Sequence, residues 1–249
     1  SDGGGGGGGA PERMAAVILE ARAHFALEYV VLSTLSVLSQ SRLMWSLHMY
    51  HSNENEWLVA ALAASDARLS GAMVKPLPLT TGDISAYNTL LLTPAFWDSL
   101  DADRVLMFQT DVLFLRPGIE AFVRFDYVGA PWALDNQRAA EIAPSIPEMV
   151  GNGGLSLRSV PHMRRIAAEE RPGPGEQEDV FFARHVVRLR GNSSTRATAY
   201  HFALEFPCED LDPGGGMVVP LALHAAWYYQ PVWRAKQLLE SSFEGWMAA

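Results

Sequence analysis

Residues 104–115, Arg-Val-Leu-Met-Phe-Gln-Thr-Asp-Val-Leu-Phe-Leu, form the stretch that decides the fold of this chain. Only Gln109, Thr110 and Asp111 interrupt the apolar side chains that follow Arg104. A run this apolar predicts a central strand of a parallel sheet covered on both faces. A carboxylate there is costly to bury unless it is paired or bound to a metal, and ligands of such sheets bind at the carboxyl ends of strands. Asp111 is therefore a candidate ligand, and the alternative is an Asp that caps a turn or accepts backbone amides.

Strand and helix patterns alternate on both sides of this stretch. Pro76 and Pro78 indicate that one strand lies at a sheet edge, and Thr93 is predicted to cap a helix that begins at Pro94. Strands are predicted at 15–20, 44–51, 73–79, 104–115, 126–130, 154–158, 198–206 and 220–224, helices at 25–39, 57–67, 84–92 and 161–170, a polar loop at 134–150 and a glycine turn at 214–216. This order predicts one α/β, Rossmann-like domain with a central mixed, mainly parallel sheet flanked by helices.

The composition is that of a folded globular chain, because 49% of the 249 residues are hydrophobic and 19% are charged. A net charge of -9 without any Lys/Arg cluster argues against nucleic acid as a partner. The longest apolar run, 25–38, is too short to span a bilayer. A single cysteine, Cys208, excludes an internal disulfide, so the cytoplasm is the expected compartment. The alternative is a Golgi or membrane-associated protein whose anchor is missing from the sequence given.

The amino-terminal residues 1–12 include seven consecutive glycines, which are costly to order. We expect them to form a disordered leader, either natural or left by truncation. The folded domain is expected to occupy residues 13–249.

Four motifs follow the central strand in order: Asp-Tyr-Val-Gly-Ala-Pro-Trp at 126–132, Gly-Asn-Gly-Gly-Leu-Ser-Leu-Arg at 151–158, Glu-Asp-Val-Phe-Phe at 178–182 and Leu-His-Ala-Ala-Trp at 223–227. With Leu-Glu-Ala-Arg at 19–22 and Tyr-Asn-Thr-Leu-Leu at 87–91, they make the chain resemble a family of uncharacterised, glycosyltransferase-like domains (DUF5672-like). The resemblance implies the GT-A fold. It also implies transfer of a hexosyl or pentosyl group from a nucleotide sugar, with UDP as the expected nucleotide, to a glycan or other hydroxyl acceptor.

The resemblance further implies a divalent cation, Mn²⁺ or else Mg²⁺, that bridges to the diphosphate of the donor. The family's Asp-x-Asp motif falls on Gln109-Thr110-Asp111, where Gln109 replaces the first carboxylate. Such a cation can complete its shell with water and phosphate oxygens, and Asp111 is then the one carboxylate that this motif offers it. His224 is the implied distant ligand. Without the resemblance, a lone His at the end of an apolar strand is more often a packed core residue.

The acidic pair Glu178-Asp179 follows a Pro/Gly-rich segment and begins an apolar helix. In inverting GT-A enzymes such a pair supplies the carboxylate that removes the proton of the acceptor hydroxyl. The resemblance therefore implies that Asp179 is the general base and that Glu178 orients the acceptor or caps the helix. The alternative is that both acids only stabilise the first helical turn.

Other polar and aromatic residues are candidates for substrate contacts. Backbone amides in a glycine-rich segment suit a diphosphate or a sugar, although a tight turn explains them equally well. Arg22 is expected to face the phosphates, with Glu20 orienting it, and an aromatic face can cover a sugar ring. The expected nucleotide-binding residues are Glu20, Arg22, Gln109, Thr110, Asp111, Asn152, Gly153 and Gly154, and those for the sugar are Trp132, Arg158 and Trp227.

These observations favour an enzyme, a metal-dependent inverting glycosyltransferase. A second hypothesis is a degenerate GT-A domain that binds a nucleotide or glycan without turnover, and Gln109 is its main support. A dinucleotide-dependent oxidoreductase is discounted because no Gly-x-Gly-x-x-Gly joins a strand to a helix. Hydrolase chemistry lacks a Gly-x-Ser-x-Gly elbow.

Overall fold

The computed structural model describes residues 12–135, 137–211 and 218–247. The expected leader, apart from Glu12, and the predicted turn at 214–216 lie outside the described residues. The strands are β1 (Met14–Glu20), β2 (Trp45–His51), β3 (Met73–Pro76), β4 (Arg104–Phe108), β5 (Val112–Phe114), β6 (Tyr127–Gly129), β7 (Leu155–Ser159), β8 (Ala203–Leu204) and β9 (Ala222–His224). The helices are α1 (Leu27–Leu38), α2 (Glu56–Ser65), α3 (Ile84–Leu91), α4 (Pro94–Asp98), α5 (Gln137–Ile142), α6 (Val160–Glu169), α7 (Glu178–Arg188), α8 (Arg196–Phe202), α9 (Ala226–Tyr229) and α10 (Val232–Met247).

A six-stranded sheet in the order β3-β2-β1-β4-β7-β6 forms the centre of the molecule. The pairs β3–β2, β2–β1 and β1–β4 are parallel, whereas β7 runs antiparallel to both β4 and β6. The predicted mixed, mainly parallel sheet is thus confirmed. The edge position that Pro76 and Pro78 indicated is confirmed as well, because β3 is the outermost strand and ends at Pro76.

Both faces of this sheet are buried. All seven residues of β1 are buried, with Ala16 and Ile18 in one apolar cluster and Ala15, Val17 and Leu19 in the other. The two faces alternate because successive side chains of a strand point to opposite sides. Helices therefore cover the sheet on both faces, as expected where right-handed crossovers connect parallel strands.

The prediction of one strand over 104–115 was wrong. The chain leaves the central sheet after Phe108, and Val112 starts β5 in a second, three-stranded sheet ordered β5-β9-β8. Between them the amide of Val112 donates to the carbonyl of Gln109 over 3.2 Å, which closes a turn. The three polar residues therefore end one strand and redirect the chain toward β9.

The prediction of a strand over 198–206 was also wrong, because α8 occupies most of it and β8 only two residues. The Thr195 side chain caps α8 by accepting the amide of Thr198. Two smaller corrections concern α5, which lies inside the predicted loop at 134–150, and Thr93. The Thr93 hydroxyl donates backwards to the carbonyl of Leu90 over 2.7 Å and does not cap α4.

Candidate active site

A cleft of about 440 Å³ opens at the carboxyl ends of β1 and β4. β2 and β4 flank β1 on opposite sides, so the strand order reverses here, and this is where open α/β sheets bind ligands. Because β7 is antiparallel to β4, the start of β7 lies at the same edge, with Leu155 opposite Phe108. Nine of the expected site residues line the cleft: Glu20, Arg22, Gln109, Asn152, Gly153, Gly154, Glu178, Asp179 and His224.

The small sheet brings Asp111 and His224 together. Val112 pairs with His224 across β5 and β9, and the amide of Ala225 donates to the carbonyl of Asp111 over 2.9 Å. As a result His224 Nε2 lies 3.4 Å from Asp111 Oδ1 and 3.4 Å from Gln109 Oε1. The buried Asp111 Oδ1 accepts no hydrogen bond from the residues that the structure describes.

Burial has the largest influence on the pKa values of Asp111 and His224, and it disfavours the charged form of both. The two side chains nevertheless stabilise each other's charged form. Burial raises the pKa of Asp111, but the neighbouring His224 and Arg22 outweigh it and hold that pKa below its usual value. Burial likewise lowers the pKa of His224, but Asp111 and Glu205 raise it to about 9. Without a cation, His224 is therefore protonated at neutral pH. Its imidazolium then supplies the positive charge beside Asp111 that a bound cation would otherwise supply.

Oxygen and imidazole donors suit Mn²⁺, so Asp111 and His224 fit the expected cation. In the described part of the chain no group of three or more His, Cys, Asp or Glu side chains is arranged to hold a metal. The physical reason is that Glu205 lies on the other side of the ring, 3.4 Å from His224 Nδ1. A cation here would need further oxygens from a ligand or from water.

The carboxyl end of β1 carries a charged pair that faces the cleft. Glu20 is 7% exposed and accepts two hydrogen bonds of 2.8 Å from the guanidinium of Arg22, which is half exposed. Thr110 bridges the two, donating to Glu20 and accepting from Arg22 over 3.1 Å each. Burial raises the pKa of Glu20, but the bonds from Arg22 and Thr110 lower it overall. Glu20 thus holds the Arg22 guanidinium at the rim of the cleft.

The glycine-rich segment does not present open amides to the cleft. The amide of Gly153 donates to Asp179 Oδ2 over 3.3 Å, and that of Gly154 donates to Asn152 Oδ1 over 3.1 Å. The glycines instead make room for side chains. A Cβ on Gly154 would lie 1.9 Å from His224 Nε2, and one on Gly153 would lie 2.5 Å from Glu178 Oε1.

The two acids of α7 have different surroundings. Glu178 is buried and paired with Arg158, which is fully buried, through bonds of 2.5 and 3.1 Å. Burial lowers the pKa of Arg158, but the Glu178 charge raises it far above its usual value, so the guanidinium stays charged. Asp179 is only half buried, and besides Gly153 it accepts the amide of Val180 over 2.7 Å. Both residues line the cleft, and of the two carboxylates that of Asp179 is the more exposed.

Three of the expected sugar contacts lie elsewhere. Arg158 lies beneath the cleft, 4.8 Å from the Tyr127 ring centre, and does not line it. Trp132 is 7% exposed and packs in the core. Trp227 is 50% exposed on α9 but lies outside the lining of the cleft.

Two elements of the site were missed by sequence reasoning. Asn88 on α3 accepts the amide of Glu178 over 3.2 Å and so caps α7, and Tyr87 lines the cleft beside it. Burial and the Glu178 charge raise the pKa of Tyr87, so its hydroxyl stays neutral. Glu205 was missed too, although a carboxylate in the apolar stretch 199–206 is the same signal that singled out Asp111.

Comparison with protein families gives one match. Residues 72–224, more than half of the chain, match the profile of the family described as "Protein of unknown function (DUF5672)". Among curated proteins, none matches the sequence. In the described residues, no helix combines the length and apolar character that crossing a membrane requires.

Comparison with solved structures identifies GT-A glycosyltransferases with the same fold. The galactosyltransferase LgtC in complex with donor and acceptor sugar analogs has a TM-score of 0.54 at 16% identity, covering 93% of this chain and 96% of LgtC. An active-site mutant of LgtC has a TM-score of 0.52 at 17% identity, covering 91% and 94%. The mannosyltransferase PcManGT from Pyrobaculum calidifontis, in complex with GDP-Man and Mn²⁺, has a TM-score of 0.50 at 13% identity, covering 75% of this chain and 55% of the enzyme.

Proposed function

The chain belongs to the DUF5672 family of proteins of unknown function, and from its GT-A fold and the groups that line its cleft we propose that it is a glycosyltransferase. It moves a sugar from a nucleotide-sugar donor to a hydroxyl group of an acceptor, and residues 13–249 act as one catalytic domain.

One observation carries the proposal. Groups that suit this reaction lie in or beside one cleft at the reversal point of the strand order: the charged pair of Glu20 and Arg22, His224 with its neighbour Asp111 behind the cleft lining, and the half-buried carboxylate of Asp179. They come from four separate segments of the chain, and packing alone does not require four segments to bring polar groups to one cavity.

Asp111 Oδ1 and His224 Nε2 are the groups that would hold a divalent cation, for which Mn²⁺ is the first candidate. The buried Asp111 Oδ1 supports this assignment, because among the described residues its near neighbour is His224 Nε2 and it accepts no hydrogen bond. When bound, the cation would neutralise the charge that develops on the departing nucleoside diphosphate. Gln109 contributes a neutral amide oxygen at the same place, and Arg22, oriented by Glu20, is available to the phosphates.

Asp179 is the proposed general base. As the acceptor oxygen attacks the anomeric carbon, its proton passes to the Asp179 carboxylate and the bond to the diphosphate oxygen breaks. The amides of Gly153 and Val180 fix the carboxylate, and the buried Glu178–Arg158 pair anchors the helix turn that carries it. Attack from the face opposite the leaving group would invert the anomeric configuration, which we propose from the family resemblance. Trp227, half exposed beyond His224, is retained as an acceptor contact.

A binding domain without turnover is the second candidate. The observation in its favour is that Gln109 offers an uncharged oxygen where the Asp-x-Asp motif has a carboxylate, which leaves one carboxylate for the cation.

Release of free nucleotide in the presence of Mn²⁺, measured across UDP-, GDP- and dTDP-sugars, tests the proposal. We expect the UDP-sugar donors to be hydrolysed slowly, and calorimetry should show that UDP binds more tightly with Mn²⁺ than in EDTA. Binding without nucleotide release would favour the second candidate. If the protein neither binds UDP nor releases nucleotide, both candidate functions are ruled out. For an active donor, NMR of the product at its anomeric carbon determines whether the configuration is inverted.

A further inference from the structure

Behind the His224 ring lies a buried carboxylate that the reaction does not use. Glu205 is 5% exposed, and its Oε2 lies 3.4 Å from His224 Nδ1. The strand register explains this position, because Leu204 pairs with Leu223 in the parallel strands β8 and β9 and so places Glu205 beside His224. Asp111 and Glu205 therefore approach the two opposite nitrogens of one ring.

Glu205 is itself held by two amide side chains. The Nδ2 of Asn152 donates to Glu205 Oε2, and the Nε2 of Gln230 donates to the Glu205 carbonyl over 2.9 Å. Asn152 is fixed in turn, because its Oδ1 accepts the amide of Gly154. Gly154 has no side chain and lets the His224 ring fill the space against the backbone. The Gly-Asn-Gly-Gly segment is thus linked to His224 both by contact and through Glu205.

We propose that Glu205, held by Asn152, is a positioning residue that directs the Nε2 lone pair of His224 toward a divalent cation beside Asp111. This inference rests on the proposed function. A carboxylate facing one ring nitrogen keeps the proton on that nitrogen and leaves the other free to bind a metal. It also increases the electron density that the imidazole offers to the cation.

The opposite arrangement would not suit a cation site. If the proton stayed on Nε2, the ring would present a hydrogen to Asp111 and no lone pair to a metal. Asp111 alone cannot prevent this, because a carboxylate beside Nε2 favours a proton there. Glu205 supplies the competing acceptor on the other side of the ring.

The test is the affinity for Mn²⁺, measured from the electron paramagnetic resonance signal of free Mn²⁺ in the presence of UDP. Glu205→Gln keeps the size of the side chain and removes its charge, and we expect it to weaken Mn²⁺ binding by about 10–100-fold. Glu205→Asp keeps the charge on a shorter side chain and should recover part of this loss. Asp210→Asn is the matched control, because it removes a nearby carboxylate that pairs with Arg196 outside the cleft, and it should bind Mn²⁺ like the parent.

A second measurement separates positioning from folding. Thermal unfolding in EDTA reports the stability of each variant, and UDP binding in EDTA reports the nucleotide site without a cation. The proposal requires that Glu205→Gln lose Mn²⁺ affinity while UDP binding in EDTA stays at the parental level. If Glu205→Gln binds Mn²⁺ as tightly as the parent, the positioning role of Glu205 is overturned, while the proposed cation site is not affected. If the parent binds no Mn²⁺ even with UDP, the proposed cation site falls and this inference with it.

Discussion

The imidazole of His224 lies against the carboxylate of Asp111, with Nε2 and Oδ1 3.4 Å apart, although the two residues are far apart in the sequence. The pairing of β5 with β9 creates this contact, since Val112 is the partner of His224. Backbone hydrogen bonds therefore determine the distance between the two side chains. A cation that binds between them meets a site whose backbone is already in place.

Replacing Asp111 by Asn should abolish cation-dependent nucleotide binding. The amide keeps the shape of the side chain but removes the charge that a divalent cation needs. Loss of a residue that only hydrogen-bonds a metal ligand typically weakens metal binding by roughly 10–100-fold, and the loss of Asp111 itself should weaken Mn²⁺ binding by more. Calorimetry with UDP and Mn²⁺ measures the change. Asp101→Asn, which alters an exposed carboxylate paired with Arg13, serves as the control. Parental binding by Asp111→Asn would show that the site is misplaced.

The protein in EDTA should become less stable as the pH rises from 7 to 9. The folded pKa of His224, about 9, exceeds its usual value of 6.5, so the folded state binds this proton more tightly. That stabilisation is complete below pH 6.5 and is lost as the pH passes through 9, with a slope of at most about 1.4 kcal/mol per pH unit. Urea unfolding across this range measures it.

His224→Asn is the control for the pH dependence, because it removes the titrating group and should flatten the slope between pH 7 and 9. Two other buried histidines, His48 and His185, have pKa values lowered by burial and titrate below this range. Equal slopes in the variant and the parent would mean that His224 does not carry the extra proton.

The sequence predicted the central sheet because hydrophobic periodicity is a local property. All-buried runs such as that of β1 stand out against the alternating pattern of β2, and both strands were placed within a residue of their observed bounds. The stretch 198–206 failed because tertiary packing decided between helix and strand. The alternation of Thr198, Tyr200 and Phe202 suggested a strand. The Thr195 cap and the burial of Tyr200 and Phe202 on α8 favour the helix instead.

The residues of the site were easier to predict than their partners. Asp111 stood out because a carboxylate inside an apolar run is costly to bury without a partner or a ligand. Arg158 and Trp132, by contrast, were expected to contact the sugar and are buried. A sequence shows that an Arg is present but not which buried carboxylate it will meet. The pairing of Arg158 with Glu178 joins β7 to α7, and only the packed structure reveals it.

Arg158→Met should destabilise the fold strongly. The substitution leaves Glu178 as a buried carboxylate without its partner, which typically costs about 3–5 kcal/mol. Adding Glu178→Gln removes the unpaired charge and should recover part of that loss. Urea unfolding of the two single variants and the double variant measures the coupling. A double variant whose losses simply add would contradict an interaction between these residues.

Gly154→Ala should displace His224 and weaken cation binding. The new Cβ would lie 1.9 Å from Nε2, and the strand pairing on both sides prevents the backbone from moving away. Mn²⁺ affinity should fall at least about tenfold, because the ring must leave the position that faces Asp111. Gly71→Ala is the matched control, since no atom of the described residues lies within 4 Å of its added Cβ. Unchanged Mn²⁺ affinity in Gly154→Ala would exclude His224 as a ligand at its observed position.

Asp179→Asn should separate binding from chemistry. The variant loses the proton acceptor but keeps an oxygen for the amide of Gly153, so donor binding should stay near the parental level. A positioned general base contributes about 10²–10⁴-fold, and single-turnover transfer should slow by that factor. Rapid-quench measurement of nucleotide release with donor and acceptor present gives the rate.

The competing interpretation of Asp179 is that it only stabilises the first turn of α7, where it accepts the amide of Val180. In that case Asp179→Asn should lower stability by about 0.5–2 kcal/mol and leave the turnover of each folded molecule unchanged. Measuring thermal stability and single-turnover rate on the same preparation distinguishes the two. Thr195→Ala, which removes the side-chain cap of α8 outside the cleft, is the control for the loss of a helix cap alone. A destabilised Asp179→Asn protein with the parental rate would remove Asp179 from the catalytic step.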